Sequence, residues 1–100
     1  MILPNGYEMQ STFFQDFTIA ECFGAPAIYD TYQRAFNEWK DNYVYLTELV
    51  ITLNWKIWEH YGKGNEGIAR LYNNLWAEAD AYACENLEGD EAEFFFLTTD

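Results

Sequence analysis

The stretch 41–61 constrains this chain more than any other. At helical spacing, Leu46, Leu49, Val50, Leu53, Ile57 and Tyr61 form one apolar stripe, and Val44, Ile51, Trp55 and Trp58 form a second. Only Glu48, Thr52, Lys56 and Glu59 remain as a narrow polar strip. A helix that is apolar over most of its circumference must be enclosed by other elements, so this one is expected at the centre of the fold. Asn54 lies between the two stripes and needs hydrogen-bond partners if it is enclosed.

The rest of the chain supplies what such a helix needs around it. Residues 26–40 carry Ile28, Tyr32, Ala35, Phe36 and Trp39 in one arc, with Asp30, Arg34, Asn37 and Glu38 opposite. Pro26 suits the first turn of that helix, directly after the helix-ending Gly24. Beyond the turn at Gly62, Lys63 and Gly64, Asn65 is a capping residue for a helix reaching about 87, whose core face is Ile68, Leu71, Tyr72, Leu75, Ala79 and Tyr82. Before these, the aromatic-rich stretch 11–23 offers Ser11 and Asp16 as starts for one or two short helical turns. After them, Gly89 is a break and Asp90 a cap for a final helix, with a short strand over 93–99 as the alternative. Pro4, Asn5 and Gly6 mark 1–10 as an irregular arm.

The expected fold is therefore all-α. It is a compact bundle of three main helices, at about 26–40, 41–61 and 65–87, with short helical segments at both ends. One hundred residues make a single domain over 1–100. Aromatic residues form 20% of the chain, enough large apolar area to fill a dense core despite the high charge.

That charge is one-sided. Seventeen acids against five lysines and arginines give a formal −12. Such a surface repels phosphates, so direct binding to nucleic acid or an anionic membrane is disfavoured and a basic protein partner is favoured. No apolar run approaches a membrane span, and the opening residues lack the basic and apolar regions of a secretion signal. A cytoplasmic protein with reduced thiols is expected.

Catalytic chemistry finds little support. His60 is the single histidine, without the Glu-x-x-His or His-x₃-His spacing of a metal site, and reads as a partly buried residue near a helix C-terminus. Cys22, between Ile19 and Phe23, reads as core. Cys84 falls on a polar face with no basic neighbour to activate it. The glycine-rich turn 62–67 follows a helix and lacks the Gly-Lys-Ser/Thr ending of a phosphate loop. No enzyme, cofactor or metal is expected.

The carboxylates stand out. Glu78, Asp80, Glu85, Glu88, Asp90, Glu91, Glu93 and Asp100 fall in a stretch with no lysine or arginine. Glu78 and Glu85 share a helix face, with Glu88 nearby and Asp80 further round. Charges on adjacent turns lie about 5–6 Å apart, comparable to the charge spacing of a nucleic-acid backbone. Three readings fit: a solvated face that keeps the protein soluble, an edge that imitates nucleic acid for a basic partner, or a cation site. The Asp-x-Asp-x-Asp-Gly arrangement of a calcium loop is missing. Phe94, Phe95 and Phe96 cannot all point inward from one short element, so at least one is expected at the surface.

The segments 16–24 (DFTIAECFG), 30–40 (DTYQRAFNEWK) and 48–61 (ELVITLNWKIWEHY) resemble small acidic uncharacterised proteins carried by phages and conjugative elements of Firmicutes. The resemblance spans nearly the whole chain and carries no catalytic motif. It implies accessory work for a mobile element, a setting that includes acidic helical inhibitors of host defence, some of which imitate nucleic acid. The expected function is binding of a basic host protein through Glu78, Asp80, Glu85, Glu88, Asp90, Glu91 and Glu93. The alternative is an assembly subunit that self-associates through exposed aromatics.

Overall fold

The computed structural model describes residues 2–3 and 6–99. Pro4 and Asn5, two of the turn signals, and Asp100, one of the C-terminal acids, lie outside the described residues. Five helices follow in order: α1 (Phe13–Glu21), α2 (Ala25–Trp39), α3 (Tyr43–Gly62), α4 (Glu66–Asn86) and α5 (Asp90–Thr99). Among the described residues the only β pairing is an isolated antiparallel bridge, Ile2 to Glu8, within the N-terminal arm. The three long helices lie within two residues of their expected limits. Residues 93–99 are helix, not strand.

Helix α3 contacts each of the other four helices, most extensively α4. Leu46, Leu49, Val50, Leu53 and Ile57 on α3 join Phe17, Ile28, Tyr32, Tyr72, Leu75 and Phe95 in one core that draws on all five helices. A smaller cluster of Leu3, Met9 and Ile51 seats the N-terminal arm on the outer side of α3.

The joints follow from local chemistry. The Asn42 side chain caps α3 by accepting from the backbone N–H groups of Val44 and Tyr45. Gly24 (φ 107°) and Gly89 (φ 62°) turn the chain into α2 and α5 in a backbone region that a Cβ atom disfavours.

Three details depart from the sequence expectations, and the surroundings of the polar strip go beyond them. The polar strip of α3 is not a solvent face: Glu48, Thr52 and Lys56 are fully buried beneath the N-terminal arm and α1. Trp58 and Tyr61, placed in the apolar stripes, are exposed instead. Cys22 is exposed, because α1 buries Phe13, Phe17 and Ala20 and turns Ile19, Cys22 and Phe23 outward. Neither Ser11 nor Asp16 starts a helix. The Ser11 N–H is held by Glu48, and a single helix begins after Thr12, whose hydroxyl donates to Asp16.

Candidate functional site

Three places bring polar chemistry together. The first is a buried charge cluster where α1, α3 and α4 meet. Lys56, with its side chain 1% exposed, places Nζ 3.0 Å from Glu21 Oε2 and 3.1 Å from Glu59 Oε2. It also donates to Thr18 Oγ1 at 2.7 Å and stands 4.1 Å from the Phe14 ring centre. Tyr72 donates its hydroxyl to Glu21 at 2.6 Å, and His60 stacks on the Tyr72 ring.

Burial alone would raise the Glu21 carboxyl above its usual range. Hydrogen bonds from Tyr72, His60 and Lys56 more than offset that and hold it below. Glu59 is held low in the same way, its burial outweighed by Lys56 and then Lys63. The Tyr72 phenol moves up, through burial and the Glu21 carboxylate.

This cluster has the donors of a metal centre. One oxygen each from Glu21 and Glu59 and a ring nitrogen of His60 lie within 4.8 Å of one another. Lys56 already places a positive charge between the two carboxylates, however, and an incoming divalent ion would have to displace that buried ammonium. None of these residues lines either of the two main clefts. The arrangement is a closed ion-pair network that ties α1 to α3. Sequence reasoning placed Lys56, Glu59 and His60 within one turn of α3, but Glu21 and Tyr72 are local neighbours of none of them and arrive only through helix packing.

The second place is the acidic edge. Of its seven residues, Glu78, Glu85, Glu88, Asp90, Glu91 and Glu93 are exposed, and Asp80 is half-buried. Among the described residues none of the seven forms a salt bridge; the ion pairs that exist use Glu21, Glu59 and Glu66. Asp90, Glu91 and Glu93 occupy the first turn of α5, where the helix dipole favours negative charge. Glu85 lies in the last turn of α4, where the dipole opposes it and no basic residue compensates.

The structure does not bring all seven onto one surface. At about 100° per residue, Glu78 and Asp80 point about 160° apart around α4. Glu78 stands beside the buried Tyr32 hydroxyl, whose pKa is raised by burial and by that carboxylate. Asp80 faces the other way, into a cleft.

That cleft, about 510 Å³, is the third place. Trp76, Asp80 and Cys84, spaced four apart on α4, form one wall, and Asn54 and Trp55 of α3 face them. Phe95, Phe96, Thr98 and Thr99 of α5 close the end. Burial raises the Asp80 carboxyl above its usual range, and burial together with Asp80 and Glu85 raises the Cys84 thiol. A second cleft of about 540 Å³ runs between α1 and α2, with the exposed Ile19 and Phe23 on its rim and Asp16, Asp30, Arg34 and Glu38 around it.

Comparison with protein families, characterised proteins and solved structures finds no match to this chain. Among the described residues, no helix is long and apolar enough to cross a membrane.

Proposed function

We propose that this protein is a non-enzymatic binding module whose acidic edge, Glu85, Glu88, Asp90, Glu91 and Glu93, occupies a basic, nucleic-acid-binding surface of a host protein. Glu78 extends the edge along α4, while Asp80 is assigned to the cleft. The single observation that carries the reading is the pairing pattern. Lys56, Lys63 and Arg70 are used on Glu21, Glu59 and Glu66, and the edge is left unneutralised at the α4–α5 turn. Glu85 strengthens the argument, because its position against the helix dipole gives the fold nothing. A mobile-element accessory protein that blocks a host nucleic-acid-binding enzyme by occlusion fits this charge and the resemblance of the three segments.

The test is capture from host lysate with the wild-type protein and with the variant Glu85→Lys, Glu88→Lys, Glu91→Lys. The expected result is a nucleic-acid-binding protein retained by the wild type alone and released by competing duplex DNA. Identical captures by both proteins would overturn the reading.

One observation favours a second reading, self-assembly. Ile19 is 60% exposed and Phe23 78% exposed, on the same cleft as the half-buried Trp39. An assembly subunit would show a concentration-dependent oligomer that Phe23→Ser disperses and salt does not.

A further inference from the structure

We infer that the cleft between α3, α4 and α5 is a binding site for a small organic cation, an ammonium or guanidinium group carried on an apolar or aromatic body. This site is separate from the acidic edge, since none of Glu85, Glu88, Asp90, Glu91 and Glu93 lines it.

The cleft has the volume of a small-molecule pocket. Its lining includes the aromatic rings of Trp55, Trp76 and Phe96, and the negative face of an aromatic ring attracts a cation. Of the two phenylalanines in the lining, Phe96 is 51% exposed and Phe95 is buried. The one acidic side chain in the lining is Asp80, and the lining contains no lysine, arginine or histidine. Among the described residues Asp80 accepts no hydrogen bond and enters no ion pair. The half-buried carboxylate therefore shares its cleft with three aromatic rings and has no counter-charge. An anion would be repelled by Asp80, and a neutral apolar ligand would leave it desolvated and uncompensated. A cation satisfies both walls. Asn54, Thr98 and Thr99 add amide and hydroxyl groups that can orient a second polar group of the ligand.

The probe pair is phenethylamine and its neutral isostere 2-phenylethanol, titrated against the 100-residue chain with tryptophan fluorescence as readout. Protection of Cys84 from iodoacetamide, read by peptide mass, locates the bound molecule; Cys22 lies outside this cleft and serves as the internal control. The expected result is that the amine binds about tenfold tighter than the alcohol and slows Cys84 alkylation, and that Asp80→Asn removes the difference. Trp76→Leu should weaken both probes, and urea melts of each variant check that it folds. An arginine-bearing peptide with blocked termini is the third arm. If the peptide outcompetes the amine, the cation comes from a protein side chain; the converse assigns a free amine, and either outcome keeps the cation site. Equal binding of amine and alcohol, unchanged amine binding in Asp80→Asn, or no protection of Cys84 would overturn it. Capture of a basic partner through the acidic edge would survive any of those failures.

Discussion

The Tyr7 hydroxyl donates to the carboxylate of Glu48 at 2.7 Å, across 41 positions of sequence, and this carboxylate is the anchor of the N-terminal arm. The same group accepts from the backbone N–H of Gln10 at 3.0 Å and of Ser11 at 2.7 Å. A fully buried acid on the central helix thus does for the arm what a strand partner would do, satisfying its backbone donors away from water. Glu48→Ala should lower stability by about 2–4 kcal/mol and release the arm, since it strands three donors at once. Tyr7→Phe should cost about 1.5 kcal/mol, the scale of one hydrogen bond to a charged group. Urea unfolding gives both values, and amide exchange at Gln10 and Ser11 reports the arm.

Lys56 compensates two carboxylates, so removing it should do more harm than removing either partner. Lys56→Met is expected to cost about 3 kcal/mol at neutral pH. The pH dependence carries a sign. Glu21 and Glu59 are held below their ordinary value of 4.5, so their contribution is fully present above that pH. It is lost as pH falls through the lowered folded values. The gap between wild type and Lys56→Met should therefore be widest near neutrality and narrow as pH falls below 4.5. Urea midpoints from pH 3 to pH 7 check it, and a gap independent of pH would contradict the assignment.

Glu85 separates stability from binding. Because it sits in the last turn of α4, Glu85→Lys should raise stability by about 0.3–1 kcal/mol. The same change should weaken capture of a basic partner. Thermal unfolding and the lysate capture are the two measurements. A destabilised Glu85→Lys protein would mean that the glutamate serves the fold after all.

The helical frame was legible because it is written in local spacing. The stripes of α3, the arc of α2 and the core face of α4 repeat at helical intervals, and Gly24 and Gly89 mark two of the joints. What covers the polar strip of α3 is not legible in the sequence, for a physical reason. Periodicity identifies which residues share a face, but it does not say whether that face meets water or a second polar element. Glu48 finds the arm and Lys56 finds α1, and both pairings depend on contacts about 35–41 positions apart. Cys22 was misread because its apolar neighbours Ile19 and Phe23 suggested a buried face, whereas α1 buries the opposite one. The acids of the edge, and the turn of Asp80 away from Glu78 around α4, can be read from the sequence, but not the aromatic-lined cleft that Asp80 enters.

Asp80 should oppose folding mildly wherever it is ionised. Burial raises its carboxyl, so the acid form is the one the folded chain prefers. That preference is fully present below the ordinary aspartate value and is lost as pH rises through the raised one. Asp80→Asn is accordingly expected to be more stable than wild type at pH 7 and indistinguishable from it at pH 3. It should also speed alkylation of Cys84, whose thiol the Asp80 charge helps to hold in its protonated form.

In the proposed function, the unpaired carboxylates at the α4–α5 turn carry the binding. Its most direct test is the salt dependence of affinity for the captured partner, measured in parallel for wild type and for the variant Glu85→Lys, Glu88→Lys, Glu91→Lys. Wild-type affinity should fall steeply as salt rises, because screening weakens an interface built on opposite charge, and the variant should show no comparable binding at any salt. Affinity that ignores salt and survives the triple change, but is lost on Phe23→Ser, would contradict it and place the contact on the apolar rim of α1.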